Sequence, residues 1–120
     1  MAAFSRFHPG QPVPIRDIPE LSIADFRRAI LSAVDGGAAL SALFGTSTRN
    51  RRVRLIAVLA EASSHSVSIL SSEVEKSYAC LTLECPQAHL FEREIAEQWL
   101  IRPEGHPWLK PVRFHPPYRP

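Results

Sequence analysis

The stretch PQAHLFEREIAEQWLIRPEGHPWLKPV, residues 86–112, combines a helix-forming segment with a proline-spaced turn and most of the unusual polar residues. Pro86 suits a first helical turn, because its missing N–H group would have no helical partner there. Apolar side chains then recur at helical spacing: Ala88, Phe91, Ile95 and Trp99. This pattern predicts a helix over 87–100 whose apolar stripe packs on a sheet formed by upstream residues.

Proline divides the rest of the chain. Residues 20–85 contain no proline, so hydrogen-bonded structure can run through them without interruption. Residues 1–19 are predicted to form an extended N-terminal arm, and six prolines from Arg102 onward predict no regular structure there. The expected organisation is a single domain over 20–113, followed by a proline-rich tail or linker over 114–120.

The proline-free middle carries one helix signal and several strand signals. Ser22 with Asp25 resembles a capping box, and helical spacing of apolar residues up to Gly36–Gly37 predicts a helix over 23–35. Strands are predicted at 38–44, 52–61, 65–70 and 78–83, with 52–61 central, 71–76 a polar connector, and Ala79, Leu81 and Leu83 as the inner face of the last. We therefore expect an α+β fold: a mainly antiparallel sheet of about four strands, two principal helices packed on it, and extended proline-rich termini.

The composition is that of a soluble single domain. The chain has 120 residues, 45% of them hydrophobic and 22% charged, with a net charge of +2. The longest apolar run, 55–60, is far shorter than the roughly 20 residues of a membrane span. With two cysteines and no secretory pattern at the N-terminus, a disulfide framework is not indicated and a cytoplasmic location is expected.

The triplet Glu92-Arg93-Glu94 suggests a docking surface. Two carboxylates beside a guanidinium can present a fixed fork to a partner, although the same pattern is typical of a solvated helix face. Neighbouring helical residues point about 100° apart, so Glu92 and Glu94 cannot form a facing acid–base pair.

Two other clusters give alternative functions. His89 and Glu92 are spaced to share a metal, with His106 or His115 completing the site, which would suit a small metal-dependent enzyme. The basic cluster Arg49, Arg51, Arg52 and Arg54 could attract phosphate groups, or be a solvated hairpin end. No nucleic-acid-binding motif, phosphate-binding glycine loop or nucleophile elbow is present. Cys80 is expected to be a small buried hydrophobe.

The turn Gly105-His106-Pro107 is predicted to aim its imidazole, because glycine permits the turn and proline restricts the preceding histidine. Prolines at every fourth position, with Trp108 and Leu109 between them, predict a stiff apolar strap across the domain: Pro103, Pro107 and Pro111. A structural wrap and a functional contact are both compatible with this pattern.

Glu92-Arg93-Glu94-x-x-Glu97, followed by Gly105-His106-Pro107-x-Leu109-Lys110-Pro111, resembles the signature of the thirty-kilodalton subunit family of complex I, the NADH:quinone oxidoreductase. Leu81-Thr82 before Pro86 is similar to the segment that leads into that signature. The residues of these two motifs are more similar still to those of the hydrogenase branch of the family. There the same domain forms the N-terminal part of the large subunit of complex-I-like nickel–iron hydrogenases, of the formate hydrogenlyase and hydrogenase-4 types. The resemblance covers residues 80–113.

This resemblance implies a non-catalytic domain with no cofactor of its own. The implied partners are the catalytic domain of a hydrogenase large subunit, or the homologue of that domain in complex I, together with an iron–sulfur small subunit. Those partners would carry the nickel–iron centre and the iron–sulfur clusters. The implied location is the cytoplasmic face of the inner membrane, which the chain contacts only through the complex. No nucleic-acid partner is implied. The implied contact residues are Glu92, Arg93, Glu94, Glu97, Gly105, His106, Pro107 and Lys110.

Two residues depart from the family pattern. Gln98 stands where the complex I versions usually have an apolar residue, which favours the hydrogenase branch. Leu100 follows Trp99 where both branches commonly have a glycine after an aromatic residue, so the resemblance does not imply the geometry of this turn.

Overall fold

The computed structural model describes residues 6–114 and 116–119. Within them the elements are, in chain order, β1 (Arg6–Phe7), α1 (Ile23–Asp35), β2 (Ala39–Ser47), β3 (Val53–Glu61), β4 (Ser66–Val74), β5 (Ser77–Ala79), α2 (His89–Trp99) and β6 (Arg102–Glu104). Three short 3-10 turns complete the path: Ile15–Asp17, Ala62–Ser64 and Pro86–Ala88. The α+β class is confirmed.

The larger sheet in these described ranges is four-stranded and antiparallel, with the order β1-β4-β3-β2. β3 lies inside it, as predicted for the strand of highest apolar content. Its register pairs Val53 with Ser47 of β2 and with Val74 of β4. A shift in register between Leu40 and Ala42 marks a bulge in β2.

Both helices pack on one face of this sheet. Alternate residues of β3 point into that face, and they form one core with the buried faces of the helices: Val53, Leu55, Ala57 and Leu59 from β3, Phe26 and Ile30 from α1, and Ile95 from α2. Because side chains alternate along a strand, the other half of β3 lies on the opposite face of the sheet.

Local signals set both ends of α1. The backbone N–H of Asp25 donates to the Ser22 hydroxyl (3.2 Å), which caps the N-terminus. At the other end, Gly37 has a φ of 106°, and the N–H of Ala38 donates to the carbonyl of Ala33 (2.9 Å). This is the left-handed glycine stop that the sequence predicts, and the predicted bounds 23–35 are confirmed.

The polar connector predicted over 71–76 is wrong, because β4 continues to Val74. Ser71 and Ser72 are buried and remain in register with β3. The Ser71 hydroxyl donates to the carbonyl of Pro19 (3.0 Å). The Ser71 side chain is therefore accommodated inside the sheet, because the segment at Pro19 supplies its hydrogen-bond acceptor.

The predicted strand 78–83 is also corrected. Its regular part is β5, which pairs in parallel with β6 instead of joining the main sheet. The predicted faces are reversed in part, since Tyr78 and Cys80 are buried while Leu83 is 66% exposed. β6 likewise overturns the expectation of no regular structure after Arg102.

In the part of the chain that the structure describes, no helix is long and apolar enough to cross a lipid bilayer. Within the predicted N-terminal arm, residues 6–7 pair with β4 and 15–17 form a 3-10 turn. Residues 1–5 of that arm lie outside the described residues.

Candidate functional site

Glu92 lies in the interior, at 0% exposure, on the inner side of α2. Its Oε2 accepts hydrogen bonds from the Tyr78 hydroxyl (2.7 Å) and the Leu81 N–H (2.9 Å). Its Oε1 accepts from the Thr82 N–H (2.9 Å) and from the Thr82 hydroxyl. A buried carboxylate is stable only when its oxygens are fully hydrogen-bonded, and these donors meet that condition.

The prediction that Glu92 lies on a solvated helix face is therefore wrong. Its side chain is also not accessible to a partner, as the predicted contact surface would require. This arrangement also explains why residues 81–82 leave the strand conformation, since their N–H groups turn towards the carboxylate. Burial raises the pKa of Tyr78 well above its usual value, and the charge of Glu92 beside the hydroxyl adds to the effect.

Arg93 points the other way and binds the chain end. We call residues 105–114 the C-terminal strap. The Nε of Arg93 donates to the carbonyl of Lys110 (2.8 Å), and its Nη2 donates to the carbonyl of Pro111 (3.1 Å). The guanidinium also lies 5.1 Å from the centroid of the Trp108 ring, within cation–π distance.

Glu97, one helical turn further on, binds the next part of the strap. Its carboxylate accepts from three successive backbone N–H groups, those of Val112 (2.9 Å), Arg113 (2.9 Å) and Phe114. Glu94 forms an ion pair with the guanidinium of Arg113. The outer side of α2 thus fixes the strap backbone through charged side chains.

His106 secures the start of the strap. Its Nε2 lies 3.2 Å from the carbonyl oxygen of His89, and its Nδ1 accepts from the Trp108 N–H (3.1 Å). Together these contacts require the neutral ring with its proton on Nε2. Gly105 has a φ of 87°, so the predicted glycine turn before the aimed imidazole is confirmed.

The predicted contact residues are therefore used largely within the chain. Arg93, Glu94, Glu97 and His106 hold the strap, while the side chains of Pro107 and Lys110 are exposed. The Lys110 ammonium lies 5.8 Å from the Trp108 ring centroid. Whether any of them also contacts a partner stays a prediction.

The metal-site alternative loses one of its ligands. The rings of His89 and His106 are 5.1 Å apart, but the Glu92 carboxylate is committed to its buried donors. No three His, Cys, Asp or Glu side chains within 6–114 and 116–119 form a metal-binding group. His115, the other suggested ligand, lies outside the described residues.

The strap presents apolar side chains to solvent. Of the ten large hydrophobic residues that are exposed within 6–114 and 116–119, four lie on it: Trp108 (55%), Leu109 (40%), Val112 (37%) and Phe114 (81%). Outside the strap the exposed ones are scattered along the chain, among them Leu83, Leu90, Leu100 and Tyr118, so the strap holds the densest group of them in the described ranges. Such a concentration is typical of a surface that is covered by another protein.

The basic cluster divides in the structure. Arg54 forms ion pairs with Glu20 (2.7 Å) and Glu73 (3.7 Å) on the outer face of the sheet. Arg49, Arg51 and Arg52 instead line a cavity at the end of the β2–β3 hairpin together with Arg119. The sequence offered no signal that Arg119 belongs with them, because it is 68 positions away from Arg51 along the chain.

No protein-family model and no curated protein sequence matches this chain.

Proposed function

We propose that this chain is a non-catalytic interaction domain of a multisubunit oxidoreductase of the complex-I-like type, a hydrogenase or an NADH:quinone oxidoreductase. The observation that carries the proposal is the C-terminal strap. Its backbone is fixed by charged side chains of α2, yet its apolar side chains face solvent. A segment that is ordered in this way and left uncovered is suited to contact with another protein of a complex.

The proposed partners are the catalytic domain of a hydrogenase large subunit, or the homologue of that domain in complex I, and an iron–sulfur small subunit. They would hold the nickel–iron centre and the clusters. In this proposal the chain is cytoplasmic and reaches the inner membrane only through the complex. The three residues Glu92-Arg93-Glu94 have different roles in this proposal: Glu92 stabilises the interior, while Arg93 and Glu94 position the strap.

Co-expression tests the proposal. The tagged chain would be produced with the catalytic polypeptide and the iron–sulfur protein of a complex-I-like hydrogenase from the same genome, and the complex analysed by size-exclusion chromatography and metal content. We expect co-elution with stoichiometric nickel and iron. Elution of the folded chain alone, both here and with the complex I homologue of the catalytic polypeptide, would contradict the proposal.

Two variants connect this result to the strap. Arg93→Ala removes the contacts to Lys110 and Pro111 and should lower the co-eluting fraction while the isolated fold is kept. Arg28→Ala is the matched control, because it removes the same charge from an exposed position on α1. Equal co-elution of both variants and the parent chain would refute the role of Arg93.

A further inference from the structure

A cavity of about 560 Å³ lies where the end of the β2–β3 hairpin meets the C-terminal end of α2 and the chain segment at Arg119. Four of the eight residues that line it are arginines: Arg49, Arg51, Arg52 and Arg119. The others are Ser47, Thr48, Val53 and Trp99, so the described lining contains no acidic residue. We call this cavity the arginine pocket.

The positive charge of the arginine pocket is weakly compensated. Within the described residues, Arg49 and Arg51 take part in no ion pair, and the nearest carboxylate to Arg52 is that of Glu73 at 3.9 Å. Glu73 is shared with Arg54, which also takes Glu20. Several guanidinium groups around one cavity repel each other, and an anion between them would relieve that repulsion.

Tertiary contacts build the pocket. The Nη2 of Arg119 donates to the carbonyl of Arg51 (2.8 Å), and its Nη1 donates to the carbonyl of Trp99 (3.3 Å). The Thr48 N–H and hydroxyl both donate to the carbonyl of Arg52, at 3.1 and 3.0 Å. The hairpin end, α2 and the chain end are thus tied together around the cavity.

Arg51 is an unusual residue for its conformation. Its φ of 60° lies in the left-handed region, which glycine or asparagine adopts at lower cost. Stability alone would favour one of those residues here. Residues in such conformations are concentrated at ligand sites, where the side chain is needed in spite of the backbone cost.

We propose that the arginine pocket binds a small phosphate ester that carries at least two negative charges, such as a pyrophosphate-bearing molecule. Guanidinium groups match phosphate oxygens with paired hydrogen bonds, and the hydroxyl group of Ser47 adds a donor. The volume lies within the range of about 300–1,000 Å³ that is usual for small-ligand sites. Val53 and Trp99 offer an apolar wall for the rest of the molecule. This site is independent of the proposed contact with partner proteins.

Isothermal titration calorimetry of the whole chain with inorganic pyrophosphate at low ionic strength tests the proposal. We expect saturable binding to one site. Arg49→Gln and Arg51→Asn should each weaken it by about tenfold or more, as the loss of a charge-assisted hydrogen bond predicts. The control Arg28→Gln removes the same charge from an exposed position on α1, and it should change the affinity by less than about twofold.

These variants are chosen so that folding does not obscure the result. Asparagine tolerates the left-handed conformation of Arg51, and the Arg49 side chain makes no hydrogen bond or ion pair within the described ranges. Amide NMR spectra should show shifts confined to the hairpin end and the Trp99 indole N–H. Absence of saturable binding, or equal losses in the control, would overturn the proposal. So would binding only to single-stranded oligonucleotides, with an affinity that rises with their length.

Discussion

At the scale of single residues, Glu92 links α2 to residues 78–82. Its carboxylate receives hydrogen bonds from Tyr78, Leu81 and Thr82 in a region without exposure to water. Desolvation of a charge is costly, so the fold is stable only because both oxygens are hydrogen-bonded. The same residue type on the other side of the helix, Glu94, remains partly exposed and meets Arg113.

Replacement of Glu92 should therefore destabilise the fold strongly. Glu92→Ala leaves the buried donors of Tyr78, Leu81 and Thr82 without an acceptor, and we expect a loss of at least about 3 kcal/mol in the free energy of unfolding. Glu92→Gln should be nearly as harmful, because its amide group would turn a donor towards other donors. Urea unfolding measures both.

Glu94→Ala is the control for this experiment, since its ion pair with Arg113 is exposed to solvent. It should cost less than about 1 kcal/mol. Similar losses for Glu92→Ala and Glu94→Ala would show that the buried hydrogen bonds contribute little.

Tyr78 should make the fold sensitive to alkali. Its pKa is raised by burial and by the adjacent Glu92, so the folded-state pKa lies above the unfolded-state value. The stabilisation from this group is complete below about pH 10 and is lost as the pH rises further. In Tyr118→Phe, Tyr78 is the remaining tyrosine. Tyrosinate absorbance should then appear only together with loss of the circular dichroism signal, and ionisation near pH 10 in folded protein would contradict the buried hydrogen bond.

At the scale of elements, α2 has two polar functions on opposite sides. Glu92 and Ile95 face the interior, while Arg93, Glu94 and Glu97 hold the strap. The predicted apolar stripe is confirmed at Ala88 and Ile95, which are buried, whereas Phe91 and Trp99 are half-buried. The buried face also includes Gln98 at 3% exposure. The four charged side chains of α2 therefore each have a partner within the chain, Glu92 in the interior and the other three on the strap.

The end of α2 offers a test of backbone strain. Leu100 has a φ of 56° and caps the helix in the left-handed conformation, which glycine adopts at lower cost. Its side chain is 57% exposed, so little burial is lost on its removal. Leu100→Gly should keep or raise the stability, by up to about 1 kcal/mol, whereas Leu100→Ala should not. Thermal melts compare the two, and a clear loss in the glycine variant would mean that the leucine side chain stabilises this turn.

Glu97 should control the mobility of the strap. Glu97→Ala removes the acceptor of the Val112, Arg113 and Phe114 N–H groups, so their hydrogen exchange should become about tenfold faster or more. The α1 amides should keep their rates. Glu75→Ala, at an exposed carboxylate outside the helices, is the control, and equal acceleration in it would argue against the Glu97 contacts.

At the scale of the whole molecule, a single sheet face carries both helices, and the chain end crosses the outer side of α2. Gly45 of β2 lies directly beneath Trp99, where an added Cβ would come within 2.7 Å of the indole Cδ1. Trp99 also meets the Tyr118 ring at 5.8 Å. One aromatic residue thus connects the sheet, α2 and the chain end, and it borders the arginine pocket as well.

The uncovered strap should cause the isolated chain to self-associate. Trp108 and Phe114 are 55% and 81% exposed, and exposed apolar groups of this size favour association. Sedimentation velocity should show reversible, concentration-dependent association that decreases in the double variant Trp108→Ser/Phe114→Ser. Ile15→Ser, at a 58% exposed residue remote in sequence, should leave it unchanged. A strictly monomeric parent chain at high concentration would contradict this expectation.

Elements with local signals were predictable from the sequence. The bounds of α1 follow from the serine cap and the glycine pair, whose effects act within a few residues. β3 was placed by its apolar content, and α2 by Pro86 and its apolar spacing, to within two residues at each end. The glycine turn before His106 likewise depends on backbone freedom at one position.

Long-range partners decided the rest. The extension of β4 depends on contacts with Pro19 and β3. Residues 78–83 leave the main sheet because they contact β6 and Glu92 instead. The arginine pocket is completed by Arg119 from the chain end. Periodicity says which residues share a side of a helix, but not whether a carboxylate on that side will meet enough donors to be buried. The sequence by itself determined the helices, the central strand and the fold class, because caps, glycine stops and apolar spacing act between residues that are close in the chain. Only the tertiary structure decided the burial of Glu92 and the contacts of the strap, because hydrogen-bond donors distant in the chain must first be brought together.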